Sequence, residues 1–294
     1  GMNALRNQTT GSQNTALGVR AGLVMATGSA NVFIGKDAGD SATACSNVIA
    51  IGHNAMHTVS DSTAVDGTIA IGESALDALT SGASNVAIGY ESQLAITDSQ
   101  RNTSVGYQSL KTASTGDSNN TAIGYASLEI STTGGNTSVG SSSSQFIDTG
   151  ENNTVLGYGA MTSSGSGNDA SNNVAVGYLA FNGATDGDQN TIIGASANPS
   201  ANTGLNQTVI GYNVTGNQNY GTVIGNKGMF QFASKEYTAH QADGEDLKSA
   251  SGGEGLKLPA YSIIKSISVV VTQLSNLGTF NICLVLADES VGIG

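Results

Sequence analysis

Six tyrosines are the residues of this sequence best suited to binding, because each directly follows a glycine of a recurring five-residue phrase. They are Tyr90, Tyr107, Tyr125, Tyr158, Tyr178 and Tyr212. Aromatic rings at regular spacing could form a carbohydrate-stacking stripe on the surface. They also supply large contact area at low entropic cost, so they could instead cover a junction between strands or between neighbouring rods. We favour the second interpretation and keep all six as candidate surface-binding residues.

Other reactive side chains give no catalytic or metal-binding pattern. His53 and His57 are four residues apart with Asp61 beyond, but in this repeat they straddle a strand and a loop, so we predict no metal site. The segment "DGDQN" at 186–190 is too short for a calcium loop. Nucleophile motifs, phosphate loops and paired carboxylates are missing from the sequence, which predicts a protein without catalytic residues or cofactor. Cys45 and Cys283 are far apart, and we expect small buried apolar side chains rather than a disulfide.

The composition favours a repetitive, β-rich chain. Of 294 residues, 40 are glycine, none is tryptophan and only 11% are charged, which is unlike an ordinary enzyme core. The net charge of −12 disfavours contact with nucleic acid, which requires a basic surface. The sequence shows neither a signal peptide nor an apolar run of transmembrane length, so we expect no membrane insertion.

A repeat of 14 to 20 residues runs through most of the chain and is marked by one glycine in each unit. The thirteen glycines are Gly18, Gly35, Gly52, Gly72, Gly89, Gly106, Gly124, Gly140, Gly157, Gly177, Gly194, Gly211 and Gly225. The residue before each glycine is always aliphatic, and the residue three before it is always β-branched. Positions two apart share one face of a strand, so we predict a short strand in each unit with these two residues facing inward.

The rest of each unit indicates how the units stack. The glycine would bend the chain, and a small residue such as Ala55 followed by a large one such as Met56 predicts a second strand. Asparagine lies four residues before the glycine in nine units, which predicts either a side-chain ladder or a turn that starts each strand. The two steps of 20 residues predict longer surface loops after His57 and Thr162. The fold class is therefore all-β, a parallel β-roll or β-solenoid of about 13 short coils and about 60 Å long.

Oligomerisation follows from the small interior of such a coil. Two short strands enclose few large side chains, so burial within one rod offsets little of the entropy lost on ordering the backbone. Association of rods along their length would bury more apolar surface, and three-fold closure suits a fibre. We therefore expect a homotrimer.

Three segments resemble the head repeats of trimeric autotransporter adhesins of the YadA-like family and the repeats of bacteriophage tail fibres. They are "NVAIGYESQL" at 85–94, "NTSVGYQSL" at 102–110 and "NTAIGYASL" at 120–128. The resemblance covers about residues 14–229 and implies a trimeric left-handed parallel β-roll that binds surfaces without catalysis. A different C-terminal module follows the repeats, which favours a phage or phage-like fibre.

Four regions are predicted. Residues 1–13 form an N-terminal lead-in, 14–229 the β-roll, 230–255 a cap with a Gly/Ser-rich linker, and 256–294 a small C-terminal module with two alternating strands. This module resembles small β-sandwich modules of phage surface proteins, which implies a β-sandwich-like fold. The abrupt end at Gly294 leaves open a continuation of the natural chain.

The leading functional hypothesis is a non-enzymatic, extracellular adhesion or receptor-binding fibre on a virion tail or a bacterial surface. It would bind a cell-surface glycan or protein through many weak contacts at once. The alternative is a tailspike polysaccharide depolymerase, which needs acidic residues clustered in one groove, whereas the acids here are scattered. A third hypothesis, a rod that binds ice or mineral, uses the threonine column and fails if those threonines face inward.

Overall fold

Residues 1–59, 62–113, 116, 118–163, 169–225 and 231–233 are described by the computed structural model. Thirteen parallel strands stack in chain order into one sheet, which a fourteenth, antiparallel strand ends. The strands of this sheet are β1 Thr15–Leu17, β2 Val32–Ile34, β3 Ile49–Ile51, β4 Ile69–Ile71, β5 Val86–Ile88, β6 Thr103–Val105, β8 Thr121–Ile123, β10 Thr137–Val139, β11 Thr154–Leu156, β12 Val174–Val176, β13 Thr191–Ile193, β14 Thr208–Ile210, β15 Gly221–Ile224 and β16 Gln231–Ala233. Two short strands, β7 Thr112–Ala113 and β9 Ile130–Ser131, pair separately, and a 3-10 turn covers Ser62–Val65.

The repeat register confirms the predicted parallel β-solenoid. Each parallel strand includes the three residues before a repeat glycine, and neighbouring strands pair equivalent positions, such as Ile49 with Ile69 and Ile51 with Ile71. By its contacts the chain divides after Ser234, and every described residue belongs to the first unit. Residues 226–230 and 234–294 lie outside the described part, and with them most of the predicted cap, linker and C-terminal module.

The first thirteen residues already take part in the stacking of coils. The backbone N–H of Leu5 donates to the carbonyl of Ala21 at 3.0 Å, and that of Arg20 donates to Met2 at 2.9 Å. Residues 1–13, which the sequence sets apart as a lead-in, therefore lie against the coil that follows them.

The predicted direction of the strand side chains is wrong. The aliphatic and β-branched residues of each strand do share a face, but this face points outward and the residue between them points inward. In β3, Ala50 is fully buried while Ile49 and Ile51 are partly exposed. The middle residue is mostly alanine or serine, because the interior of so narrow a coil has little room for larger side chains.

Buried columns on the other side of the coil complete the interior. In the described coils the small residue three positions after the glycine is buried, and so is the large apolar residue that follows it in many coils, for example Met56 after Ala55. Where a large residue occupies the strand, the opposite side makes room for it. A Cβ atom on Gly39 would lie 2.3 Å from the Phe33 ring, and one on Gly22 would lie 2.8 Å from it. A large residue on the strand side is thus matched by glycine on the opposite side, which keeps the interior volume of the coil similar.

The second strand predicted for each unit is replaced by a turn. The second and fourth residues after the glycine have positive φ in successive coils, as in Gln108 at 52° and Leu110 at 48°. An extended strand requires negative φ at every residue, so no continuous ladder forms there. Within the described residues, a second ladder is limited to β7 and β9 with isolated bridges such as Ile130 to Phe146. The extra residues of the two long coils lie partly outside the described residues.

The repeated asparagines form the predicted ladder inside the roll. Asn153 donates from its side-chain amide to Oδ1 of Asn136 at 3.1 Å, and Asn173 donates in the same way to Asn153 at 3.1 Å. Each Oδ1 also accepts the backbone N–H of the residue at the same position in the next coil, which in most coils is asparagine, as Asn153 accepts from Asn173 at 3.0 Å. Where Thr68 stands in this column, its hydroxyl is buried without a hydrogen-bond partner. The asparagines therefore satisfy buried backbone groups.

We expect Gly106→Ala to lower the free energy of unfolding by about 3 kcal/mol or more. Gly106 has a φ of 141°, and an added Cβ would lie 2.3 Å from the carbonyl oxygen of Gly124. The control is Gly67→Ala. Gly67 also has a positive φ, of 73°, but an added Cβ there would have its nearest neighbour 3.8 Å away. We expect backbone strain alone to cost about 1 kcal/mol at this position. If chemical denaturation gave the same loss of unfolding free energy for both variants, close stacking of the coils at Gly106 would not contribute to stability.

We expect Asn153→Ala to cost about 3 kcal/mol, because it removes the acceptor for Asn173 and leaves buried polar groups without partners. Asn182→Ala, at an exposed asparagine, should stay within about 0.5 kcal/mol of the parent protein. The measurement is the midpoint and slope of urea unfolding for both variants. A near-neutral Asn153→Ala would contradict the role of the ladder.

Candidate functional site

The outward face of the thirteen parallel strands is uncharged in every coil and carries two columns, one wholly aliphatic and one of threonine, valine and isoleucine. In the aliphatic column Leu17 is 64% exposed, Leu156 49% and Ile123 38%. At the spacing of β-strands this face is about 60 Å long and about 10 Å wide, and exposed aliphatic surface of such length is uncommon on single-chain proteins. Because the predicted inward columns form this face, the threonines of the column also point outward.

The six tyrosines form stacked columns on the surface rather than one continuous stripe. The ring centres of Tyr90 and Tyr107 are 5.2 Å apart, as are those of Tyr107 and Tyr125, while Tyr158 and Tyr178 are 5.6 Å apart. Adjacent ring planes differ by 6° to 12°, so within a column each ring face covers its neighbour. Inside a column, only ring edges and hydroxyl groups remain for a ligand.

Two coils interrupt the tyrosine column. Ser141 follows Gly140 and Ala195 follows Gly194 at the position that tyrosine holds in neighbouring coils. Tyr107, which has a ring on both sides, is 43% exposed, whereas the rings beside the gaps, Tyr125, Tyr158, Tyr178 and Tyr212, are 55%, 56%, 54% and 74% exposed. Tyr90, at the Glu73 end of its stack, is 41% exposed. The rings beside the gaps therefore each have a face without a tyrosine neighbour.

At the two positions directly after each repeat glycine, the charged side chains of the described residues lie in the first coils. Arg20 donates from Nε to Asp37 at 2.5 Å, and Lys36 approaches the other oxygen of Asp37 at 3.4 Å. The hydrogen bond from Arg20 holds the pKa of the Asp37 carboxyl below its usual value, although burial opposes this. At the two positions after each repeat glycine from Gly18 to Gly211, the last charged residue is Glu91; from Tyr107 to Asn213 these positions are neutral.

Glu91 marks the boundary between the charged and the neutral parts. Its carboxylate accepts a hydrogen bond from the Gln108 side chain at 2.7 Å and forms an ion pair with Lys111 at 3.0 Å. These contacts, first the Gln108 bond, lower the pKa of Glu91. The pKa of Tyr90 is raised, mainly by its hydrogen bond to Glu91.

His53 and His57 lie beside carboxylates of neighbouring coils. His57 places Nε2 3.5 Å from Asp40 and Nδ1 3.3 Å from Asp77, so one imidazole lies between carboxylates of the coils on either side. His53 is 3.6 Å from Glu73. Asp61, which the sequence pattern grouped with both histidines, lies outside the described residues. In the part of the chain that the structure describes, no group of histidine, cysteine and acidic residues is arranged to hold a metal ion. The Asp40–His57–Asp77 cluster was missed because its members are separated by whole coils.

Two other sites named from the sequence have structural roles. Asp188 of the 186–190 segment accepts the backbone N–H of Ser171 at 2.8 Å, which ties one coil to the next. Cys45 is fully buried as predicted, and burial raises the pKa of its thiol to about 12. Cys283 lies outside the described residues.

Comparison of the chain with protein-family models, curated proteins and solved structures finds no match. Among the described residues, no helix is long and apolar enough to span a membrane. Geometry and chemistry are therefore the basis for assigning a function.

We expect acid to destabilise the parent protein more than an Asp37→Asn variant. The pKa of Asp37 is lowered in the folded state, so its stabilisation is present above the unfolded value near 4 and is lost as pH falls through the folded value. Urea unfolding between pH 5 and pH 2 should show a smaller loss of stability in Asp37→Asn. The exposed Asp186→Asn is the control and should follow the parent; identical slopes for all three proteins would refute the role of Asp37.

Proposed function

We propose that this chain is a non-enzymatic fibrous adhesion or receptor-binding protein that works as an extracellular homotrimer on a phage tail or a bacterial surface. The observation that carries the proposal is the uncharged outward face along the whole sheet, with its unbroken aliphatic column. Single soluble chains rarely leave such a surface in water, and rods that bury it against each other gain burial that the narrow interior does not provide.

A closed bundle of three rods fits this surface best. Each rod offers one long flat face, and three such faces can meet about a common axis with no apolar edge left over. Each tyrosine directly follows the repeat glycine at the end of a strand, so in this arrangement the tyrosines lie at the rim of the packed faces rather than within them. Three copies of thirteen coils then present each surface feature many times along a stiff shaft.

Repetition is what suits such a shaft to adhesion. Weak sites fixed on one rigid object act together, and their combined affinity can exceed that of each site by about two to four orders of magnitude. A cell-surface glycan or protein displays its own repeated groups, which makes it a fitting partner. Strong single sites are therefore not required.

The depolymerase alternative is less well supported. Asp40 and Asp77 flank a common point on the surface, as a pair of catalytic acids would. His57 contacts both carboxylates and occupies the space between them. Glycoside hydrolysis needs a sugar bond between the two carboxylates. A reducing-sugar assay on bacterial surface polysaccharides separates the hypotheses, since released sugar ends would support the enzyme.

The ice- or mineral-binding hypothesis keeps one observation in its favour. The threonines of the strand column, such as Thr103 and Thr208, lie on the outward face, contrary to the direction predicted from the sequence. Valine and isoleucine interrupt this column, and an aliphatic column runs beside it. A stable monomer with thermal hysteresis would favour this function over the trimeric fibre.

The trimer predicts a solution mass three times that of the 29.4 kDa chain. The double variant Ile123→Glu with Leu156→Glu should be a folded monomer, because both side chains are exposed in the single chain but would be buried in the bundle. Ala95→Glu places a charge at an exposed turn and should leave the mass unchanged. The measurement is light scattering with circular dichroism; a monomeric parent protein would overturn the proposal.

Adhesion predicts that the parent protein binds cells and that the monomeric double variant binds at least about tenfold more weakly, through loss of multivalency. Labelled parent, double variant and Ala95→Glu would be titrated onto a panel of bacterial cells and glycan-coated beads. Failure of the parent trimer to bind any surface in the panel would contradict the adhesive function.

A further inference from the structure

The gap in the tyrosine column at Ser141 is a slot one ring wide. Ser142 donates its backbone N–H to the carbonyl of Tyr125 at 2.8 Å, and Gly159 donates to that of Ser141 at 3.0 Å. These bonds place Tyr125, Ser141 and Tyr158 at the same position in three successive coils. The two tyrosine ring positions are therefore about 10 Å apart, twice the spacing of neighbouring strands.

The width of the slot equals the space that one more tyrosine ring would fill in the column. Within the column, Tyr107 lies 5.2 Å from the rings on either side and is 43% exposed. Tyr125 and Tyr158 are 55% and 56% exposed, consistent with one open face each. A single six-membered ring placed between them would stand at the stacking distance of aromatic pairs from both.

We propose that the slot between Tyr125 and Tyr158, with Ser141 at its base, binds one pyranose ring of a neutral glycan. This inference rests on the proposed adhesive function and names its ligand class. Aromatic rings on both sides suit the C–H faces of a sugar, while the serine hydroxyl and the two phenol hydroxyls can bond to the sugar hydroxyls.

Charge and polarity favour a neutral sugar over other flat groups. From Tyr107 to Asn213 the two positions after each glycine carry no charge, so an acidic sugar would find no counter-charge beside the slot. An aromatic side chain of a protein would leave the serine hydroxyl unused. The gap at Ala195, between Tyr178 and Tyr212, lies three coils further on, and its alanine base offers no hydroxyl. It can serve the same glycan as a second, weaker stacking position.

Saturation-transfer NMR with cellohexaose, maltohexaose and mannohexaose tests the slot. Ser141→Tyr completes the column with the residue that neighbouring coils carry, so it should fold and block the slot. Glu73→Tyr adds a tyrosine at the same position next to Tyr90 but fills no gap, and it is the matched control. We expect transfer to at least one oligosaccharide, a loss of affinity of about tenfold or more in Ser141→Tyr, and no change in Glu73→Tyr.

Several results would overturn the proposal. These are no transfer to any of the three oligosaccharides, transfer that Ser141→Tyr leaves unchanged, or tighter binding of a tryptophan-containing peptide that Ser141→Tyr blocks. A changed oligomer mass in Ser141→Tyr would assign the slot to a side chain of a neighbouring copy. Cell binding by the parent protein is measured in parallel: an adhesive trimer that ignores the oligosaccharides refutes only the slot, whereas loss of all adhesion refutes the proposed function.

Discussion

Close contact between successive coils is the constraint on which this structure depends. Each coil bonds its backbone to the next along the sheet and around the turn, and at the repeat glycines the backbones approach so closely that a Cβ atom would overlap the carbonyl of the following coil. Only glycine allows this approach with the required φ. The narrow interior, the columns of like residues and the equal spacing of surface groups all follow from it.

The narrow interior determines which residues go where. Small side chains fill the strand side, larger ones lie opposite, and a serine cluster occupies part of the centre, where Ser138 and Ser143 approach to 2.6 Å. Polar groups inside are tolerated because they bond to each other and to the backbone. The aliphatic residues beside the repeat glycines lie on the outward face of the strands, and this is why association with other rods is the proposed source of further stability.

The sequence predicted the register, the glycine positions and the small-residue column, and it predicted the asparagine ladder as one of two alternatives, because each depends on residue type at a fixed spacing. It did not predict the direction of the strand, since alternation shows which residues share a face but not which face is inside. Isoleucine beside glycine would face inward in most proteins, and here Ala50 and its equivalents take that place. The turn after the glycine was also missed, because Gln108 and Leu110 adopt positive φ without any residue type that marks it.

The tyrosine stacks have an optical consequence. The chain contains nine tyrosines and no tryptophan, so its near-ultraviolet absorption and emission arise mainly from tyrosine. Five of these rings lie within 5.6 Å of a parallel neighbour, close enough for their electronic transitions to couple. The exciton signal in circular dichroism therefore reports directly on the distance between coils, without any added label.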